Sequence, residues 1–373
     1  MLCVGNEIPT KTVVREGYEC ALHRVAVVRF VVIDSKKVVV TIVVPPGETV
    51  MSTGDPVSVG LLSESFLYEW QRRAIERLQH EGQANVELVV SNANSSDAVA
   101  ESWNSKRLIG LDDVSQFVQL LRREGPWALV LAERTIGRIL GDEQPLWHRH
   151  TVDDLHCLEE ATHVRCEPRT DGPWYEFPDE VVDRIEKRCD VVVLFGFGLI
   201  RGDILTATEH GVLSFHPADI RRYRGMGVPP IFYDGRDSAG TTLQRLNESV
   251  DGGEVVLSSD VSLHGCETMW DVFDRIVAVQ SELLGEGIDR LTDPAFEPTT
   301  VPDEELGTFY PRSERRTIDF AGRVLLKNVA GRLRRRRRSH RETTEQLIPS
   351  ETASAESGVT EEPESETDAI ADD

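Results

Sequence analysis

DVVVLFGFGLI, residues 190–200, is the stretch whose reading decides the fold. Five consecutive large apolar residues, Val191–Phe195, leave no position for a wet face, so the segment reads as a strand buried on both sides, as in the middle of a parallel sheet. It runs out into Gly196 and Gly198, and glycines at the carboxyl end of a strand let a ligand come close to the backbone. That end is where open α/β sheets bind their ligands. Reading outward, strands are predicted at 57–62, 86–90, 127–132, 211–215, 241–246 and 254–258. Helices are predicted at 66–78, 112–124, 178–188 and 268–284, from apolar residues recurring at helical spacing. The alternation predicts an α/β fold: an open, mostly parallel Rossmann-like sheet with helices on both faces. A short helical C-terminal extension and a disordered tail complete the expectation.

The chemistry-bearing text lies just downstream. GVLSFHPADIRRYRG (211–225) ends a strand in Ser214-Phe215-His216, and strand alternation sends Ser214 and His216 to one side. A hydroxyl and an imidazole therefore face one crevice. TTLQRLNESVDGGEVV (241–256) then offers Asp251 in a Gly-rich turn, a carboxylate able to reach the imidazole. An imidazole beside a carboxylate is the elementary unit of general acid–base chemistry. Gly196 and Gly198 do not form a dinucleotide fingerprint, because the third glycine is missing. His148, His150, His156, Cys157, His163 and Cys166 have metal-ligand side chains, but their spacing fits no standard zinc site, so no metal is expected.

These motifs resemble the formyltransferase N-terminal-domain family, whose hallmark is Asn-x-His-x-Ser-Leu-Leu-Pro, a Tyr-Arg-Gly turn, then Asp-x-Gly about thirty-five residues after the His. SFHPADIRRYRG and VDGGEVV stand in those places, most strongly over 194–256. The resemblance implies 10-formyltetrahydrofolate as co-substrate and formyl donor, an amine as acceptor, His216, Asp251 and Ser214 as catalytic residues, and Phe197, Gly198, Leu199 and Ile200 against the pterin. It implies Arg224 and Gly225 on the substrate side. Ser214 departs from the family, where an Asn would donate a hydrogen bond to the formyl oxygen; a Ser hydroxyl donates too but reaches less far. Ala218, Asp219, Ile220 and Arg221 replace Ser-Leu-Leu-Pro, which puts the usual acceptors in question. A small amine, such as an amino-sugar nucleotide, is the expected acceptor, since the text after residue 291 shows no strand-rich module for tRNA. A methionyl-tRNA formyltransferase-like enzyme and a catalytically silent fold kept for binding or regulation are the alternatives.

Composition sets the frame. The chain has 373 residues and a formal net charge of −23, with six lysines among 41 basic residues. So acidic a surface repels nucleic-acid phosphates in bulk, and with so little Lys it reads as adapted to a salty cytoplasm. The cysteines form no C-x-x-C pair and suggest reduced thiols. The longest apolar stretch, 25–44, is interrupted by Arg29, Asp34, Lys36 and Lys37, which argues against a membrane span. Four regions are expected: 1–50, a spurious or loosely attached extension of different composition; 51–291, the catalytic domain; 292–341, an Arg-rich helical extension ending in Arg334–Arg338; and 342–373, an acidic tail too poor in apolar residues to fold.

Overall fold

The structure is a computed structural model that describes residues 56–82, 84–94 and 111–347, with two further strands at Val31–Ile33 and Lys36–Val38. The rest of 1–50 and residues 348–373 lie outside the described residues, and with them most of the expected extension and tail. The chain divides into units 1–55 and 56–373. In the first, the two short strands pair antiparallel.

The second unit is built on a seven-stranded sheet. Its strands are β1 (Val57–Ser63), β2 (Ala84–Asn92), β3 (Thr162–Cys166), β4 (Val191–Leu194), β5 (Val212–His216), β6 (Ser238–Arg245) and β7 (Glu254–Ser262). The spatial order is β7-β6-β5-β4-β1-β2-β3. The five strands from β3 to β5 pair in parallel, and β6 and β7 add antiparallel at one end. The expected mostly parallel α/β sheet is therefore present. Its central strand behaves as the apolar run predicts: Val191 and Val193 join the core on one face and Val192 the core on the other.

Helices cover both faces. Helix α1 (Glu69–His80) and helix α6 (Met269–Thr292) supply Ile75, Leu78, Leu284 and Ile288 to one side. Helix α4 (Asp179–Arg188) supplies Val181 and Ile185 to the other. Thr268 caps α6 by accepting from the Asp271 amide, while Asp271 accepts from the Thr268 amide, a reciprocal box that fixes where the helix starts. Helices α2 (Leu111–Glu124), α3 (Trp127–Ile139), α5 (Val228–Asp234) and α7 (Ile318–Leu347) complete the unit.

Three expectations need correction. Residues 127–132 are not a strand but the first turns of α3; Trp127, Val130 and Arg134 are buried at helical spacing, a period a six-residue apolar run cannot reveal. The strand occupying the sheet edge is instead the polar β3. Residues 66–68 are a short strand paired with Arg149–Thr151, and α1 begins after them. The C-terminal helix is thirty residues, not short, and runs to Leu347 on Arg, Glu and Gln, all good helix formers. Its buried line is Phe320, Ala321, Val324 and Asn328, while Val329 and Leu333 are exposed.

Candidate active site

Strand order reverses at β1 and β4: β1 leads on to β2 and β3 on one side, while β4 returns to the other flank of β1. The crevice beyond the carboxyl ends of such a pair is the binding place of open α/β sheets. A cleft of about 400 Å³ opens there, within the range of small-molecule sites. Glu64, Gly196 and Ser214 line its floor, and Phe66, Tyr68, Trp147 and Phe273 its aromatic end. Gly196 has to be glycine. A Cβ there would stand 2.4 Å from the Glu64 amide nitrogen, so the two strand ends approach this closely only without a side chain.

Ser214 lines the cleft, and two residues on, His216 is 3% exposed, tucked behind it. His216 Nδ1 lies 3.2 Å from Asp251 Oδ1, and Nε2 lies 2.9 Å from the Tyr223 carbonyl oxygen. Both partners are acceptors, so both contacts are hydrogen bonds together only when both ring nitrogens carry hydrogens. Asp251 itself sits at φ 49, in the left-handed region that Asp tolerates better than most residues. Its turn is tied down by Asn247, which accepts from the Ser249 amide and donates to the Gly252 carbonyl. Burial pushes the Asp251 carboxyl up, but the His216 hydrogen bond and charge, the Gly225 amide and Arg224 outweigh it, and the net is below the usual carboxylate range.

The sequence-derived site residues fall into three groups. Ser214, His216 and Asp251 come together. Arg224 and Gly225 join them from behind: Arg224 Nη2 donates to the Val250 carbonyl at 2.7 Å, and the Gly225 amide donates to Asp251 Oδ2 at 2.6 Å. They hold the Asp251 turn in place. The third group, Phe197–Ile200, divides. Gly198 lines the cleft, but the Phe197 and Ile200 side chains are buried in the core, and Leu199 and Ile200 pair with Trp174 and Tyr175. Phe197 holds a positive φ of 65, its amide donating to Glu64 Oε1 at 3.1 Å.

Sequence reasoning missed Glu64, Gln71 and Gln280 in the cleft. Glu64 had a legible signal, a carboxylate immediately after a central strand. The aromatic end had none, because Trp147 and Phe273 are brought together from segments 126 residues apart; their rings meet edge to face at 5.7 Å. Behind them Trp147 Nε1 donates to Asp274 at 2.5 Å, and burial pushes the Asp274 carboxyl up to about 6 despite that bond and the Arg134 charge. Of the histidines upstream, His150 pairs with Glu69, His156 with Glu159 and His163 with Asp153, and the His148 and His150 rings meet edge to face.

Fold and site together define an α/β protein with a buried imidazole–carboxylate pair at a switch-point crevice. Residues 159–288, which include His216 and Asp251, match the formyl transferase family, the family that the motifs resemble. Methionyl-tRNA formyltransferase of Treponema pallidum is 34% identical over 110 residues, 28% of this chain and 34% of that protein. The Thermotoga maritima enzyme of the same name is 25% identical over 138 residues, 36% of this chain and 44% of that one. The chain thus spans less than half the length of these curated relatives. Among solved structures, glycinamide ribonucleotide transformylase 1 from Symbiobacterium toebii aligns over 67% of this chain and 96% of its own, with 19% identity and a TM-score of 0.42.

Proposed function

We propose that the protein is a folate-dependent formyltransferase that moves a formyl group from 10-formyltetrahydrofolate to an amine. The observation that carries this reading is the His216–Asp251 pair, buried at the carboxyl edge of the sheet beside a cleft with an aromatic end. A flat heteroaromatic donor suits such a cleft, with ring faces to cover it and Glu64 and Gln280 to orient polar edges. In the reaction the acceptor nitrogen bonds to the formyl carbon, the bond from that carbon to the donor nitrogen breaks, and the proton lost by the amine ends on the donor nitrogen.

His216 has two tasks in this scheme: an N–H for the oxygen that becomes an oxyanion, and passage of the proton. To meet that oxygen it exchanges its Nε2 contact with the Tyr223 carbonyl, while Asp251 keeps hold of Nδ1. Asp251 orients the ring and balances its charge. Ser214, lining the cleft, adds a second donor where the family has the Asn.

A small amine, such as an amino-sugar nucleotide, is the acceptor we favour. From 293 to 347 the described chain forms a few short elements and one long helix, with no barrel among the described residues. The names of the curated relatives support a second reading, a tRNA-borne amine. Incubating the purified protein with 10-formyltetrahydrofolate and either amino-sugar nucleotides or charged initiator tRNA separates the two. Transfer to the sugar amine alone is the expected result; transfer to neither, with no folate binding, would sink the proposal.

A further inference from the structure

Four buried amide side chains in this fold have partners. Gln71 bonds the Tyr68 amide, Gln280 bonds Thr241, Asn92 bonds Glu64, and Asn328 bonds the Met269 amide and Glu133. Gln244 differs. It is 2% exposed, yet its buried Oε1 has no hydrogen-bond partner among the described residues. A buried polar atom without a partner is costly and calls for a reason.

Its place supplies one. Gln244 on β6 is the direct antiparallel partner of Ser214 on β5, so the two side chains leave the same face of the sheet as immediate neighbours. The pairing of β6 with β7 slips between Leu243 and Gln244, an irregularity of the kind that re-aims a side chain beside an active site. At its far end the amide rests on the catalytic turn, for a Cβ at Gly253 would lie 3.2 Å from Gln244 Oε1. The amide therefore bridges from Ser214, the residue too short for its task, toward the Asp251-Gly252-Gly253 turn. Half a turn of the amide exchanges its oxygen for its NH2, so it can meet an incoming carbonyl oxygen with a donor.

We propose that Gln244 is a catalytic residue, whose amide N–H donates to the formyl oxygen from the strand next to Ser214. It restores by a cross-strand neighbour the amide that position 214 lacks. This rests on the formyltransferase reading and goes beyond it, since the resemblance assigns nothing to Gln244.

The test uses the full chain with 5-formyltetrahydrofolate carrying a 13C-labelled formyl group, and its isotope-edited infrared band. Gln244→Met keeps the shape and removes the donor. The bound formyl band is expected to move to higher wavenumber, with kcat lowered about 10²-fold at saturating donor and KM little changed. Adding Ser214→Asn to Gln244→Met is expected to bring both band and kcat back, which a merely structural role could not do. A residue that only filled space would give a Gln244→Met protein of equal or higher melting temperature, with band and kcat unmoved; that result overturns the proposal. Should the wild-type protein fail to bind 5-formyltetrahydrofolate at all, the formyltransferase reading itself falls.

Discussion

Glu133 and Asp251 are both carboxylates held inside the second unit, and their surroundings could hardly differ more. Glu133, on α3, is 8% exposed; it accepts from Trp270 Nε1 on α6 at 3.0 Å, from Asn328 on α7 at 3.2 Å, and from Arg332 on α7. Three donors meet this one carboxylate, and the network ties three helices together. Asp251 has two partners, His216 and the Gly225 amide. Close to it, however, Arg224 Nε and Gln244 Oε1 are buried without partners among the described residues. A satisfied network has nothing left to offer a ligand and serves stability. One with spare donors and acceptors around a reactive pair gives up stability to keep a geometry that an incoming molecule completes.

The largest expected effects lie in exchanging the two sites. His216→Ala or Asp251→Asn is expected to cut formyl transfer by about 10²–10⁴-fold in the protein that remains folded, a loss of turnover larger than any change in stability accounts for. Glu133→Ala should do the reverse, costing about 1–3 kcal/mol because the buried Trp270 and Asn328 donors lose their acceptor, with turnover per folded molecule unchanged. Urea titration and steady-state kinetics on the same preparations read both. Near-normal turnover in the His216 or Asp251 variants, or an unaffected urea midpoint in Glu133→Ala, erases the contrast.

Acid sharpens it further. The Asp251 carboxyl is lower in the folded state than in the unfolded chain, so the folded state binds fewer protons. Its contribution is fully present above about pH 4, near the unfolded value, and is lost as pH falls through the folded one. Asp274 has the opposite sign. With its carboxyl at about 6 when folded, it gains stability as pH falls from about 6 to about 4. The Asp274 effect, no more than about 3 kcal/mol, places a rise before the acid loss. Asp274→Asn is expected to remove the rise and Asp251→Asn part of the loss. Urea midpoints from pH 3 to 8 follow both, and an Asp274→Asn profile identical to wild type would show that burial does not hold that carboxyl up.

The smallest effect is expected from removing residues 1–50. Their Val-rich, nearly neutral composition sets them apart, and we propose that neither network draws on them. Melting temperature and turnover should stay as they were; a drop of several degrees would make the segment part of the fold.

The run at 191–195, the glycines after it, and the order Ser214, His216, Asp251 were legible because local chemistry specifies them. A buried parallel strand has to be continuously apolar, a strand fixes which side chains share a face, and a carboxylate in a Gly-rich turn is free to reach back to its imidazole. Length and period carried no such information at 127–132, where six apolar residues satisfy a strand and a buried helix equally well; packing against α6 and α7 decided for the helix. Nor could sequence spacing show that Phe197 and Ile200 point into the core, that Trp147 meets Phe273, or that Gln244 stands beside Ser214. Those neighbours are set by strand order and register, which depend on how apolar surfaces far apart in the chain are buried together.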